Sequence, residues 1–400
     1  MVLIKKGTQK IKKLGEKAEE KDYEGMLIKH RRRMVLLLAL LLVFAAAVVI
    51  AVKIFLDNRV YDAYEISNTT DMGDVMKCRF YKYGNGVLRY SNDGISYMVG
   101  DDTIWNQAFE MKQPLVDICD GYMAIADLGD TTVYIYNESG QQGIIEATCP
   151  ILELEVAAQG VVALITQNEI TNLIEIYDKE GANIAMGQTV LSGDGCPLDI
   201  SISNDGTKLA VSYVYLKNNM ARTKVIFYNY SGVGKNEAGR IVGGFENYEE
   251  SIISKVEFVT NDVVVAFGDD ILTIYSMEEK PSVMKEVKIE REIESIAYNN
   301  KYVLLAFKSE NSVNQHILNV YDLNGKRILD TTVEFSYTDI QLQNNMIILN
   351  NSKQMYMLSV DNVKKYNGEI NEGIVKVIPT KTENRFIIIT NEEAEEIKLK

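Results

Sequence analysis

The chain has 400 residues, 46% of them hydrophobic, and a formal net charge of −14. This composition excludes an intrinsically disordered chain and is sufficient for a large core. The charge is unevenly divided: residues 1–33 carry 11 Lys/Arg against 5 Asp/Glu, whereas the remainder carries 31 against 51, a net −20. The basic tail has one tyrosine and no stacking pattern, so we predict no nucleic-acid partner.

An uncharged apolar run, Met34 to Val52, follows the basic tail. At about 1.5 Å rise per residue, a helix of this length covers roughly the 30 Å of a bilayer's hydrocarbon core. Three cationic side chains abut the run and predict its orientation by the positive-inside rule: Arg31, Arg32 and Arg33. The membrane is therefore a predicted partner, crossed once with the N-terminus inside.

These features predict a cytoplasmic tail (residues 1–33), a transmembrane helix (34–56) and an extracytoplasmic domain (57–400). The alternative is a cleaved signal peptide. A signal peptide is less favoured, because the apolar region of a signal peptide usually has about 7–15 residues. In addition, no cleavage site with two small residues separated by one other residue follows this run.

The outer domain repeats itself about every 43 residues, which is the length of one four-stranded propeller blade. Tyrosine at a strand end with glycine four positions later marks four copies: Tyr136, Tyr177, Tyr228 and Tyr321. Eight copies are predicted to begin near Asp74, Pro114, Ile151, Pro197, Ser251, Ile293, Tyr337 and Ile374.

The last copy stops before its outer strand, and a spare strand precedes the first copy at Val60–Ile66. Pairing the two would close the ring and remove an exposed edge from each. We therefore predict an all-β, eight-bladed β-propeller after one transmembrane helix. A seven-bladed ring is the alternative if closure occurs elsewhere.

The segment Ser203-Asn204-Asp205-Gly206-Thr207-Lys208-Leu209-Ala210-Val211 resembles the S-x-D-G-x-x-L-A turn of bacterial TolB-like, YVTN and WD40-like propellers. The layout of basic tail, single span and Tyr-rich outer propeller resembles an uncharacterised clostridial family of single-pass membrane proteins. The resemblance implies a Gram-positive surface protein and transfers no catalytic residue.

Aligned inner strands share one polar position flanked by apolar residues in all eight copies. The predicted ring consists of Lys77, Asp117, Glu153, Asp199, Lys255, Ser295, Asp339 and Lys376. These residues either line the central channel or form ion pairs between blades. The second interpretation is favoured, because several neighbours have opposite signs and buried charges must be paired.

His316 is the only histidine in the outer domain. No G-x-S-x-G sequence accompanies it, so we expect a solvent-facing residue at a loop edge rather than a catalytic base. The four cysteines are expected to be small buried residues, with disulfides as the alternative. No calcium-loop or phosphate-loop pattern is present, and we predict no metal and no cofactor.

The sequence therefore favours a binding or scaffolding module at the cell surface, with a protein or peptide partner outside the cell. An acidic domain of net −20 should attract cationic ligands and repel polyanions. A carboxylate-dependent, carbohydrate-active hydrolase is one alternative. A sensor that signals through the cytoplasmic tail is another.

Overall fold

The computed structural model describes residues 12, 26, 29–49, 51–52, 58–73, 75, 77–190, 194–248, 251–310, 312, 314–370 and 373–400. The chain divides into two compact units, Met1–Val60 and Tyr61–Lys400. Most of the predicted cytoplasmic tail, the end of the predicted membrane helix and Asp74 lie outside the described residues.

The first unit contains helix α1, Lys29–Val49, which is long and apolar enough to cross a membrane. Its apolar side chains are exposed. A signal sequence near the N-terminus can also meet these criteria of length and composition. The helix includes the three arginines predicted to set its orientation, and these are also exposed.

The second unit is a ring of eight four-stranded antiparallel sheets, the blades. Strand β1 (Tyr64–Asp71) precedes them. Blade 1 contains β2 (Arg79–Tyr83), β3 (Gly86–Ser91), β4 (Gly94–Val99) and β5 (Asp102–Ala108). Blade 2 contains β6 (Pro114–Cys119), β7 (Tyr122–Asp127), β8 (Thr132–Asn137) and β9 (Gly140–Glu146). Blade 3 contains β10 (Ile151–Val156), β11 (Val162–Gln167), β12 (Thr171–Tyr177) and β13 (Asn183–Val190). Blade 4 contains β14 (Cys196–Ile202), β15 (Lys208–Lys217), β16 (Met220–Asn229) and β17 (Ile241–Phe245), with 3₁₀ turns at Val233–Asn236 and Ala238–Arg240.

The second half of the ring repeats this order. Blade 5 contains β18 (Ile253–Thr260), β19 (Val263–Gly268), β20 (Ile271–Ser276) and β21 (Ser282–Lys288). Blade 6 contains β22 (Ile293–Tyr298), β23 (Tyr302–Lys308), β24 (Gln315–Asp322) and β25 (Arg327–Glu334). Blade 7 contains β26 (Asp339–Gln343), β27 (Met346–Asn350), β28 (Gln354–Ser359) and β29 (Lys364–Glu369). Blade 8 contains β30 (Lys376–Pro379), β31 (Arg385–Ile389), β32 (Glu393–Leu399) and, as its outer strand, β1.

Ring closure follows the prediction. Strand β1 pairs antiparallel with β32, from Tyr64 opposite Leu399 to Asp71 opposite Glu393. The eight-bladed prediction is thereby confirmed, and the seven-bladed alternative is wrong. The closing strand β1 was predicted at Val60–Ile66. It begins later, at Tyr64, and extends further, to Asp71.

The core lies between blades rather than within them. The described residues form eight hydrophobic clusters, one at each junction between neighbouring blades. At the junction of blades 3 and 4, for example, Ile165 and Ile174 pack with Ile200 and Val211. A single blade cannot bury its two faces alone, so stability depends on the closed ring.

Every inner strand runs in the same direction along the channel. We call the end where the inner strands begin the entry end, and the end where each inner strand turns into its second strand the hairpin end. The predicted turn at blade 4 lies at the hairpin end. There Gly206 has a φ of 68°, and the carboxylate of Asp205 accepts the Ser203 hydroxyl at 2.6 Å.

Candidate functional site in the central channel

A β-bulge recurs near the start of the inner strand in four consecutive blades, 3 to 6. In each blade, pairing with the second strand slips by one residue directly before a predicted ring residue. Bulges bend a strand and re-aim its side chains. The shared register places four residues at one level, which we call the upper level: Glu153, Asp199, Lys255 and Ser295.

A second set of polar side chains lies two residues nearer the hairpin end, which we call the lower level. It includes Glu155 and Glu257. Asp117 of blade 2 also belongs to the lower level. Its carboxylate accepts a hydrogen bond from the backbone N–H of Val156 at 2.7 Å, and the Glu155 carboxylate accepts the equivalent bond from the backbone N–H of Ile202 at 3.0 Å. Strand geometry puts residues i and i+2 on one side, so the lower level faces the same way as the upper level.

The other predicted residues are placed differently. Asp339 and Lys376 begin the inner strands of blades 7 and 8 and form an ion pair of 2.8 Å. The Gln341 amide donates to the same Asp339 oxygen at 2.6 Å and to the backbone of blade 8. Lys77 is exposed in a turn ahead of β2, outside the inner strand of blade 1.

Several polar side chains of the two levels join one blade to the next. Asp199 accepts the backbone N–H of Val256 at 2.6 Å, and the Ser201 hydroxyl accepts that of Phe258 at 3.0 Å. An inner strand is the edge strand of its blade, so some of its N–H groups point away from its own sheet. Polar side chains of the preceding blade accept hydrogen bonds from these N–H groups. This accounts for the polar residues at the two levels of the inner strands.

Lys255 is the cation of this part of the channel. Its ammonium lies 3.1 Å from the Glu257 carboxylate, and the Tyr298 hydroxyl donates to the same carboxylate oxygen at 2.7 Å. The ammonium also lies over the Tyr298 ring, 5.8 Å from its centre. The side chains of Lys255 and Glu257 are 32% and 16% exposed, so solvent or a ligand can reach them in part.

Carboxylates outnumber this cation. Five of them interact electrostatically with one another and with the ammonium, and together with it they form what we call the channel cluster: Asp117, Glu153, Glu155, Asp199, Glu257 and Lys255. One ammonium cannot neutralise five ionised carboxylates. The excess is relieved either by protonation or by an added cation.

Burial favours protonation. It raises the pKa of Glu153 to about 9, with a further contribution from Asp199, which hydrogen-bonds to it. Burial also raises the pKa of Asp117 to about 6 and that of Glu155 well above its usual range. Burial alone would lower the pKa of Lys255, but the Glu257 carboxylate and its neighbours outweigh it and raise that pKa. Burial therefore opposes the ionisation of several carboxyl groups in the cluster, whereas the surrounding carboxylates favour the charged form of Lys255.

A cavity of about 710 Å³ opens at the entry end, beside the start of β22 in blade 6. We call it the blade 6 cavity. Two basic residues, Arg291 and Lys308, line it together with four acidic ones: Glu290, Glu292, Glu294 and Glu310. The acidic excess of the channel thus continues onto the face of the ring at this end.

The expectation for His316 is wrong. It is expected to face solvent, but only 4% of the residue is exposed, although it is the second residue of β24. Its Nδ1 lies 2.8 Å from the Glu294 carboxylate, and its ring packs on that of Tyr337 at 4.6 Å between centres. The neighbouring Ser295 hydroxyl accepts the Tyr337 hydroxyl at 3.0 Å, so the serine is linked to tyrosine and not to histidine.

The four cysteines are free thiols, and each is partly exposed rather than fully buried. Burial and the charge of Asp120 raise the pKa of the Cys119 thiol to about 12, which makes it a poor nucleophile. Within the part of the chain that the structure describes, no three His, Cys, Asp or Glu side chains are grouped so that they could hold a metal ion.

The fold is shared with solved propellers. The chain is similar to BamB from Moraxella catarrhalis (TM-score 0.52, 12% identity, 84% of this chain and 100% of that one). It is also similar to Sqt1 from Chaetomium thermophilum bound to the N-terminus of the ribosomal protein L10 (0.55, 11%, 84% and 100%) and to Sqt1 from Saccharomyces cerevisiae (0.54, 12%, 86% and 99%). At these identities the likeness concerns the fold alone.

No curated protein matches the sequence. A family model does match, over residues 57–399, and it therefore covers the whole ring of blades. The chain belongs to the family of unknown function DUF5711.

Proposed function

We propose that this protein is a membrane-anchored binding module whose propeller lies outside the cell and takes up a basic segment of a protein or peptide partner. The segment would bind at the entry end, between the channel cluster and the blade 6 cavity. The observation that carries the proposal is the set of five carboxyl groups that interact with one another and with the single ammonium of Lys255, because an added cation can replace the protons that burial otherwise favours there.

Physical chemistry favours a cationic ligand here. Carboxylates taken out of water lose hydration, and an incoming guanidinium or ammonium restores favourable contacts in a medium where charges are weakly screened. Glu257 can take part in such contacts, because its side chain is still 16% exposed. The acidic excess of the outer domain would speed the encounter with such a partner.

The same geometry favours binding over hydrolysis. Two carboxyl groups of a glycosidase stand about 5–9.5 Å apart, so that a sugar, and in inverting enzymes also a water, fits between them. Glu153 and Asp199 instead interact directly with each other, and each influences the pKa of the other. Among similar folds, the Sqt1 propeller binds the N-terminus of a ribosomal protein, an example of a propeller that recognises a chain terminus.

Binding can be tested with the full chain in uncharged maltoside micelles and a fluorescent lysine- and arginine-rich peptide. The variant Asp199→Asn/Glu257→Gln removes two charges from the channel and keeps the carbonyl acceptors. The control Glu334→Gln/Glu369→Gln removes two charges from exposed positions on outer strands. We expect the channel variant to bind about tenfold or more weakly and the control to bind like wild type.

Salt provides the second measurement. Affinity for the basic peptide should fall as salt rises toward ~0.15 M, where the screening length is about 8 Å. Equal weakening in the channel variant and the control would mean that only the overall charge matters. Tight binding of polyanions by wild type would contradict the proposal outright.

The proposed orientation rests on the charge asymmetry around α1. Protease added to intact, wall-stripped cells should remove the Tyr61–Lys400 unit and leave the N-terminal tail protected. A C-terminal tag that survives this treatment would place the propeller inside the cell and refute the surface location.

A further inference from the structure

A second cavity lies at the hairpin end, at the seam where blade 8 meets blade 1. It has a volume of about 260 Å³, and we call it the seam cleft. One wall is the inner hairpin of blade 1, with Lys82 and Asn85. The other wall comes from blade 8, with Lys381, Thr382 and Arg385. Ring closure therefore creates this cleft, since its two walls come from opposite ends of the chain.

The seam cleft is basic, although the domain around it is strongly acidic. Three of its side chains are cationic, Lys82, Lys381 and Arg385, and one carboxylate, Glu396, lines it. None of the three cations forms an ion pair with any residue that the structure describes. Glu65 is within electrostatic reach of Arg385, but it is paired with Lys400.

Two of the cations, Lys82 and Lys381, interact with each other. The Lys381 ammonium donates to the side-chain oxygen of Asn85 at 2.7 Å, which fixes it against the blade 1 hairpin. Lys82 stands on the same hairpin, and its pKa is lowered by burial and by the charge of Lys381. Two like charges that interact in this way destabilise each other, and an anion bound near both would relieve the repulsion.

We propose that the seam cleft binds the phosphate group of a small phosphate monoester. With three cations, the cleft suits a doubly charged phosphate group better than it suits a singly charged carboxylate. The planar guanidinium of an arginine also matches the geometry of two phosphate oxygens. Thr382 and the Asn85 amide add uncharged donors. The small volume and the acidic surroundings select a small ligand and oppose a polyanion.

The test uses the full chain in maltoside micelles, with glycerol 3-phosphate and inorganic phosphate as probes and acetate for comparison. Isothermal titration calorimetry should show binding of both phosphates by wild type. The variant Lys82→Gln/Lys381→Gln and the variant Arg385→Gln should each bind about tenfold or more weakly, because each loses charge-assisted hydrogen bonds. Lys288→Gln, on the exposed outer strand of blade 5, is the matched control and should bind like wild type.

The outcomes separate cleanly. The melting temperature without phosphate should be no lower in the variants than in wild type, because removal of like charges relieves repulsion; lost binding is then not lost folding. Unchanged affinity in both cleft variants would overturn the proposal, and so would acetate binding as tight as phosphate binding. Binding that requires phosphatidylglycerol in the micelles and is not seen with glycerol 3-phosphate would overturn it in favour of a lipid headgroup.

Discussion

Replacing Glu153 by glutamine should stabilise the protein, and the gain should grow with pH. Burial and Asp199 raise the pKa of Glu153 to about 9 from 4.5. The folded state therefore holds a proton that the unfolded chain releases above pH 4.5, and stability falls as pH rises from about 4.5 to about 9. Glutamine keeps an N–H donor for Asp199 and has no proton to lose.

The size of the effect follows from the pKa. Each pKa unit corresponds to about 1.4 kcal/mol, so the two and a half units between 4.5 and pH 7 give about 3.5 kcal/mol. Unfolding of the Tyr61–Lys400 unit carries an entropy of about 2.1 cal/mol/K per residue, or about 0.7 kcal/mol/K in total. Glu153→Gln should then raise the melting temperature by about 5 °C at pH 7 and by only about 1 °C at pH 5.

The assay is thermal unfolding of the full chain in maltoside micelles, followed by tyrosine fluorescence at pH 5, 7 and 9. Glu334→Gln is the control, because this carboxylate is exposed on an outer strand and its replacement should leave the melting temperature unchanged at every pH. A gain that is the same at pH 5 and pH 9, or a loss at pH 7, would refute the assignment of a buried proton to Glu153.

Two further predictions concern closure and the buried histidine. A chain truncated to begin at residue 74 loses β1, so β32 becomes an exposed edge; it should melt several degrees lower and aggregate more readily than a chain beginning at residue 59. Equal melting temperatures for the two would contradict closure through β1. His316→Ala should cost about 2 kcal/mol in unfolding free energy, because it leaves a cavity and removes a partner of Glu294. Lys308→Ala removes the exposed partner of the same carboxylate and should cost less than about 0.5 kcal/mol in the same denaturation assay.

The fold was predictable because its signals are periodic and local. The spacing of about 43 residues fixed the number of blades, and turns such as Asn204-Asp205-Gly206 marked the hairpins. Closure was predictable because β1 and β32 are each left without a neighbour along the chain. The first and last residues of β1 were harder to predict, since they depend on its register with β32.

The site was predicted less completely, for reasons of register. Bulges before Glu153, Asp199 and Lys255 shift the strands by one residue, and sequence alignment cannot detect such a shift. Asp117 of blade 2, whose inner strand has no such bulge, lies at the level of Glu155 and not at that of its aligned partner Glu153. The strand period of two would have pointed to Glu155 and Glu257, which occupy the same face of the same strands.

His316 was misplaced for a different reason. Its neighbours in sequence resemble a loop edge, but β24 extends from Gln315, and Glu294 from β22 supplies a buried partner. A buried polar group is tolerated where a hydrogen-bond partner meets it, and that partner lies 22 positions away in the chain. Such a contact depends on tertiary structure, and no local pattern predicts it.

The carboxylates of the channel combine structure with recognition. Asp117, Glu155 and Asp199 each accept a backbone N–H of the following blade, so they fasten blades 2 to 5 in order. The same groups interact electrostatically with Lys255 and Glu257, which solvent reaches in part. A cation bound at Glu257 would therefore lower the repulsion within the whole cluster and tighten the junctions that the carboxylates hold. Binding and ring stability are thus linked, because any ligand that prefers the closed ring stabilises it by mass action.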